Sequence, residues 1–492
     1  MNADLTHETG RGHEAATEQE PRSPLRRIDH CGLLFVLLSL TFGGFFAAIT
    51  PSFWGFDEFE HFGRAYAIDH GQILPQRDPD RDIYGVGGVP SSAYDLRDVA
   101  VHNFVNPGQA PDPAVTDRDA FHRMEQRPLD TPLRTALFAN TSAYSPVSYG
   151  PSVLALRIAE LSDASVGTAI TLMRLADVVA YTGLVWLGMY ALRGHRLKWL
   201  VFVVALLPMA VYESATITAD AVTNAMAILF GALFVKATFL RQPLPGWESA
   251  VLVGSAVLLP VTKPSYALLS LLLLFVPGAR LALWRGTKYV ATLVGMGMFG
   301  AWTALTAKVG PGQAVQLRPG DVVDAGSQLD YVLSNPLELG HVLVRTFVYQ
   351  ENIYFGQFFG VFGHTWVPAP ALAQLSWILA AVLAFGIAGW MYASRVQLTT
   401  TAVIAALNVA AIFALLYLQF TPVGFHLIEG VQGRYFIPLV IFGAAVALQL
   451  VPLRLRLASP RHLQGSKAAI VVLVLIALAG SAAKYEYVTW HG

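Results

Sequence analysis

The chain has a single cysteine, Cys31. One thiol excludes an intrachain disulfide and any thiolate cluster for zinc or iron–sulfur, so a metal would have to use oxygen or histidine ligands. Charge is scarce as well. Only 13% of the 492 residues are Asp, Glu, Lys or Arg and 54% are hydrophobic, whereas soluble domains carry about 25% charged residues. Neither sign is in excess, with 33 basic and 33 acidic residues, and this excludes the net basic field that holds a protein on nucleic acid. A phosphate-binding glycine-rich loop, a metalloprotease His pair, a nucleophile elbow, zinc-ligand spacing, internal repeats and low-complexity tracts are also absent. What is present is long apolar runs, and the chain reads as an all-α polytopic membrane protein.

Residues 1–30 are polar, rich in Glu, Thr, His and Arg without apolar period, and read as a disordered cytoplasmic tail. Residues 31–492 form the transmembrane domain. Apolar runs at 33–49, 168–192, 199–212, 218–240, 249–262, 265–283, 289–306, 371–392, 398–420, 435–451 and 468–483 predict about eleven transmembrane helices, each near the roughly 20 residues a bilayer needs or somewhat shorter. Lys and Arg are retained on the cytoplasmic side of short loops. Arg22, Arg26 and Arg27 hold the first helix start inside. Arg193, Arg196 and Lys198 mark the next inner loop, followed by Arg241, then Arg280, Arg285 and Lys288, then Arg395, then Arg454, Arg456, Arg461 and Lys467. The alternate loops face outward, among them a large first outer loop, 51–145, a second long one, 308–370, and the C-terminal residues. A further apolar run, 147–161, would reverse every later loop if it spanned, so it is placed as an interfacial juxtamembrane helix on the outer side.

Polar and ionisable groups close to the hydrocarbon are costly and mark function, and several gather on the predicted outer side. Directly after the first helix comes Asp57-Glu58-Phe-Glu60-His61-Phe-Gly-Arg64-Ala-Tyr66. Carboxylates among aromatics suit general-base work, and a helix here puts Asp57, His61 and Arg64 on one face; the plain alternative is a solvated interfacial helix. Glu213 and Asp220 flank a tight outer turn, where Asp220 could equally be a helix cap. Lys263-Pro264 breaks two apolar runs, with snorkelling as the alternative for its ammonium. Gln432-Gly-Arg434-Tyr435 opens a late helix, and an Arg fork matches phosphate where a simple interfacial anchor needs no particular neighbours. Residues 356–368 are rich in Gly and aromatics and suit a groove wall or an interfacial belt.

In these motifs the chain resembles the membrane proteins grouped as domain of unknown function 2142, within the GT-C class of membrane glycosyltransferases. The resemblance rests on 51–65 with Asp57-Glu58 and His61, on Tyr144-Ser-Pro-Val-Ser-Tyr149, on Arg174 opening the next span, and on Asp220, Lys263-Pro264, 360–368 and 432–438. This chain has Phe56 where many relatives carry proline before the acidic pair. The resemblance implies a GT-C-like helical fold, an acidic pair in the first outer loop and a polyprenyl-phosphate sugar as donor. It places the chain in a bacterial plasma membrane with its site on the outer face, acting on a glycan or glycolipid acceptor in cell-envelope polysaccharide assembly.

Such a transfer needs a base for the acceptor hydroxyl and a cationic clamp for the leaving phosphate. Asp57 is the expected base. Glu58 would tune it or help hold a divalent cation, and Asp220 would position the acceptor or the metal. No motif demands a cofactor, and Mg or Mn held by Asp57, Glu58 or Asp220 is the one compatible with these residues. Arg434, Lys263 and Tyr435 would bind the donor phosphate. His61, Arg64, Tyr149, Glu213 and Gln432 would line the substrates, and a single displacement would invert the anomeric centre. The rival class is a multi-span transporter or flippase of a lipid-linked or small polar substrate. Such folds carry repeats and midplane charges, where this chain has no visible repeat and one-sided charge. A catalytically inactive membrane scaffold is the third reading.

Overall fold

The computed structural model describes residues 29–80, 83–102, 115, 117–309, 321–363, 367–451, 454–455, 457 and 459–491. Most of the expected N-terminal tail, with Arg22, Arg26 and Arg27, lies outside these residues, as do Arg456 and 364–366 of the aromatic segment. The described chain is mostly helical. Seven helices are long and apolar enough to cross a membrane: His30–Ile49 (α1), Val166–Ala191, Ala219–Thr238, Thr287–Thr306, Arg395–Gln419, Gly433–Leu450 and Pro460–Trp490. Three more apolar segments, Gly246–Thr262, Pro264–Phe275 and Ala371–Ile387, are shorter. The remaining expected span, 199–212, is broken into helices Lys198–Ala205 and Pro208–Ser214. Pro208 has no N–H to donate and its ring clashes with the carbonyl one turn back, so the helix stops and restarts there. Residues 199–239 are buried without exception, which makes this broken segment and Ala219–Thr238 the centre of the bundle.

The expected inner and outer loops collect at opposite ends. At one end Lys198 Nζ meets Asp29 at 2.8 Å, Leu244 N–H donates to the Arg280 carbonyl at 2.8 Å, Tyr392 N–H donates to the Phe239 carbonyl at 2.8 Å, and Gln449 bonds both backbone groups of Ala393. At the other end Trp490 donates to the Ile49 carbonyl at 2.6 Å, Trp302 to the Ala143 carbonyl at 2.8 Å, and Ser148 to the Thr262 carbonyl at 2.7 Å. The Lys- and Arg-rich loops therefore share one end, the disposition that retention of positive charge on one side requires.

The run at 147–161 forms a short 3₁₀ turn, Pro146–Tyr149, and helix Gly150–Leu161 of 12 residues. At about 1.5 Å per residue the helix reaches about 18 Å, short of a bilayer core. Both of its ends stay with segments expected on the outer side. Ser148 touches Thr262 at the start, and after its end Ala164 and Val166 exchange backbone bonds with Leu129 and Arg127.

The expected outer loop, 51–145, corrects the all-α expectation. It holds helix Glu58–Asp69 (α2) and a three-stranded antiparallel sheet of β1 (Gln76–Asp78), β2 (Ile83–Pro90) and β3 (Leu133–Leu137), in the order β1-β2-β3. A second pair, Val361–Phe362 with Val367–Pro368, lies in the later outer loop. Strand β2 reads Ile-Tyr-Gly-Val-Gly-Gly-Val-Pro, and its glycines hide the period-two signal. Gly85 is needed: its φ is +100°, and a Cβ there would lie 2.5 Å from the Ala139 Cα.

Candidate functional site

The elements that carry the outer charges reach one another because helices start or break at their residues. Lys263 caps the junction between Gly246–Thr262 and the 3₁₀ helix Pro264–Phe275, where proline cannot continue the helical hydrogen bonding. Arg434 opens the 3₁₀ helix Gly433–Leu439, and Asp220 lies in the first turn of Ala219–Thr238 after the Thr218 cap. Three helix N-termini thus converge with these residues, and their partial positive charge favours anions there.

Lys263 Nζ is 2.6 Å from Asp220 Oδ1. Arg434 Nη1 is 3.2 Å from Glu213 and 3.7 Å from the second oxygen of Asp220. The Arg434 Nε donates to Gln432 at 2.6 Å, and Asn224 donates to Glu213 at 2.8 Å. Aromatic faces fix the cations from the other side. Phe56 lies 4.0 Å beneath the Arg434 guanidinium, and the Tyr435 ring is 4.2 Å from the Lys263 ammonium. All four charged side chains are buried. Helix Pro336–Phe359 sets the position of Arg434: Gln357 accepts the Gly433 N–H at 3.0 Å. A Cβ at Gly433 would collide with the Tyr354 carbonyl of that helix.

His61 lies between this cluster and α2. Its Nδ1 shares a 2.6 Å hydrogen bond with the Tyr149 hydroxyl, its ring stacks on Tyr144, and Thr218 lies 3.5 Å from Nε2. Burial, chiefly, pushes His61 down to about 4, so the ring is neutral at pH 7.

The two carboxylates that adjoin in sequence have separate surroundings, because Asp57 precedes α2 in the left-handed conformation while Glu58 is its first helical residue. Asp57 is half-buried, occupies the N-cap position of α2 without a side-chain cap bond and has φ 49°, the left-handed region that Asp tolerates better than most residues. Among the described residues its carboxylate makes no hydrogen bond or ion pair. It is near enough to act electrostatically on His61, Tyr144 and Arg434. Glu60, one turn on and half-buried, is pushed up to about 7, first by burial and then by Asp57.

Glu58 corrects its expected role. Its Oε1 accepts from Arg174 Nε at 2.7 Å and Ile217 N–H at 3.1 Å, and its Oε2 from Arg174 Nη2 at 2.6 Å and Gly55 N–H at 3.0 Å. Those contacts use the roughly four acceptor positions of a carboxylate. Arg174 spends its other donors on the carbonyls of Ala47, Thr50 and Pro51, and both residues are buried. Arg174 does not open its span but lies well inside Val166–Ala191, and it pins the exit of α1 to the start of α2. Arg64 is likewise structural: its guanidinium donates to the carbonyls of Tyr144, Gln72 and Ile73, which leaves no fork for a substrate. It does share with His61 the face turned to the 144–149 segment.

The structure therefore brings together Asp57, His61, Tyr149, Glu213, Asp220, Lys263, Gln432, Arg434 and Tyr435 and withdraws Glu58 and Arg64. Tyr144, Asn224, Gly433 and Phe56 also belong to the cluster, and sequence reasoning gave none of them a role in it. Phe56 stood beside the acidic pair in sequence, but its use as a cation platform was not visible there.

Two of the three expected ligands, Glu58 and Asp220, do not fit a divalent cation. Glu58 has no free acceptor position and Asp220 is already paired with Lys263 and near Arg434. Among the described residues the group of His and acids nearest to metal-ligand spacing is elsewhere, at Asp69, His70 and Glu160, and Arg157 bridges it at 3.0 Å from Asp69 and 3.5 Å from Glu160.

The model of the family described as predicted membrane protein (DUF2142) matches residues 40–442, and the chain belongs to that family. No curated protein and no solved structure matches the chain.

Proposed function

With membership of this membrane-protein family as premise, we propose that the chain is a glycosyltransferase that moves a sugar from a polyprenyl-phosphate donor to an acceptor hydroxyl at the outer membrane face. The observation that carries the reading is that Asp57, whose carboxylate has no partner among the described residues, lies within electrostatic reach of Arg434 and His61, and Arg434 shares Asp220 with the second buried cation, Lys263. A base and a phosphate clamp are what such a displacement asks of a protein.

In this mechanism the donor phosphate lies against Lys263, Arg434 and the Tyr435 edge, with its lipid in the bilayer. Asp57 takes the proton of the acceptor hydroxyl while the acceptor oxygen bonds to the anomeric carbon. The bond from that carbon to the phosphate oxygen breaks, and its electron pair leaves with the polyprenyl phosphate. Arg434 and Lys263 stabilise the charge that gathers there. Attack opposite the leaving group inverts the anomeric centre. Neutral His61 and Tyr149 position the reactants without adding charge, and Gln432 and Glu213 hold the Arg434 fork in one orientation.

The test has two parts. The purified protein, reconstituted in lipid, should transfer sugar from a polyprenyl-phosphate hexose or pentose and should not use soluble nucleotide sugars. Mass spectrometry of a deletion strain should show a lost or truncated envelope glycan and accumulated lipid-linked sugar. An unchanged glycan profile with a lost solute-uptake phenotype would replace the enzyme with a transporter.

A further inference from the structure

The acidic pair after the first helix invites a divalent cation, and the local coordination chemistry leaves it Asp57 alone, since Glu58 and Asp220 are already committed. Mg or Mn needs about six oxygen ligands, with carboxylate oxygens that are free to approach it, commonly completed by phosphate and water. Glu58 offers none, since Arg174, Gly55 N–H and Ile217 N–H already cover both its oxygens. Freeing one would strand a buried guanidinium. Asp220 has Lys263 on one oxygen at 2.6 Å and Arg434 3.7 Å from the other. A divalent ion entering there would meet two fixed cations at contact distance.

The chain instead has organic cations where a metal would act. Lys263 and Arg434 come from segments far apart in sequence, share Asp220 as a common counter-ion and are backed by Tyr435 and Phe56. Asp220 is the strut that keeps two like charges side by side. An ammonium and a guanidinium so placed can neutralise a leaving phosphate, with the guanidinium supplying bidentate geometry.

We infer that the transfer needs no divalent cation, the charge of the leaving phosphate being carried by Lys263 and Arg434. This inference rests on the glycosyl-transfer reading for its chemistry, but its metal-binding half stands independently of turnover.

The probes are Mn²⁺, followed by electron paramagnetic resonance, and undecaprenyl phosphate, both applied to the EDTA-treated full-length protein in lipid nanodiscs. The expected result is no stoichiometric Mn²⁺ uptake and the same undecaprenyl phosphate binding with and without Mg or Mn. Arg434→Gln should weaken that binding by about 10-fold or more, and added metal should not restore it. Turnover with a polyprenyl-phosphate sugar should be insensitive to EDTA. One Mn²⁺ bound per chain and lost in Asp57→Asn, which leaves the Glu58–Arg174 clasp intact, would overturn the inference and place the metal between Asp57 and Glu60. So would EDTA-sensitive turnover restored by Mg or Mn. Absence of transfer from every polyprenyl-phosphate sugar, with no Mn²⁺ bound, would strike down the proposed reaction and the inference's account of the leaving group together, while the metal-free donor set would stand.

Discussion

Helices Ala219–Thr238 and Gly246–Thr262 are joined by a Lys–carboxylate pair at each end. Near the connecting loop, Lys236 meets Glu248 at 2.6 Å. At the far end, Lys263 meets Asp220 at the same distance. The two contacts look alike, yet their surroundings differ. The Lys236–Glu248 pair is complete in itself, with the ammonium on both carboxylate oxygens and no other side-chain partner among the described residues. The outer pair is shared with Arg434 and Glu213, lies beside neutral His61 and has Asp57 within electrostatic reach of Arg434, with no partner for that carboxylate among the described residues. A buried ion pair alone is weak evidence for either stability or function. What separates a site from a staple is that its charges come from distant segments and that a reactive group beside them is left unpaired.

The sharpest way to break this contrast is the Glu58–Arg174 clasp, which lies at the outer end but is saturated like a staple. Arg174→Leu would leave Glu58 buried without its counter-ion and free the carbonyls of Ala47, Thr50 and Pro51. A stability loss of about 3–5 kcal/mol is expected, seen as low yield and an earlier thermal unfolding transition in detergent. If Arg174→Leu unfolds normally and loses only turnover, the clasp belongs to the site and the distinction fails.

The next effect is a pH dependence. His61 has its pKa lowered from 6.5 to about 4. Between those values the unfolded chain binds the imidazole proton and the folded chain does not, so stability is full above pH 6.5 and falls as pH drops toward 4. The whole difference corresponds to about 3 kcal/mol. Glu60, raised from 4.5 to about 7, acts in the opposite sense: the folded chain holds a proton that the unfolded chain has released, and stability falls as pH rises through that window. The wild-type slope is therefore muted. His61→Gln should remove the acid-side loss and leave a protein whose stability declines from pH 4.5 to 7, measured by thermal unfolding at several pH values. An unchanged profile would mean that the imidazole is not held neutral by burial.

Asp57→Asn sharpens the comparison from the other side. It removes proton acceptance but breaks no hydrogen bond or ion pair among the described residues, so turnover should fall by about 100-fold or more with little change in donor affinity. Thermal stability should stay within about 0.5 kcal/mol. Separate binding and turnover assays with a polyprenyl-phosphate sugar decide it, and normal turnover would end the assignment of Asp57 as base.

Much of this was legible before the fold. Alternation of Lys- and Arg-bearing loops placed the charge-rich loops at one end, and polar clusters at apolar run ends picked out most of the residues that the fold gathers, because both signals are local in sequence. The partnership of Glu58 with Arg174 was not legible. It joins residues 116 positions apart, and adjacency to Asp57 suggested a joint role that the pairing with Arg174 precludes. Arg64 misled for the same reason: side-chain spacing predicts a shared face but cannot show that backbone carbonyls of Tyr144, Gln72 and Ile73 already use its donors. The outer sheet was hidden by the glycines of β2, and the break at Pro208 by an apolar composition that reads as one span.

The smallest effect is expected at the other end of the helix pair. If Lys236–Glu248 is only a staple, replacing both partners together, Lys236→Met with Glu248→Leu, exchanges a buried ion pair for apolar contact of similar volume. Such exchanges are commonly neutral or stabilising, because the desolvation of two charges is avoided. The double variant should fold, unfold within about 1 kcal/mol of the wild type and turn over at the wild-type rate. Either single variant should be worse than the double, since each leaves one buried charge unpaired, and the excess in a double-mutant cycle measures the pair itself. The analogous double replacement at the outer end, Asp220→Leu with Lys263→Met, meets the same test with the opposite expectation. It strands Arg434 beside Glu213 alone, and donor binding should be lost even where folding survives. Equal tolerance at both ends would show that the outer pair, too, is a staple.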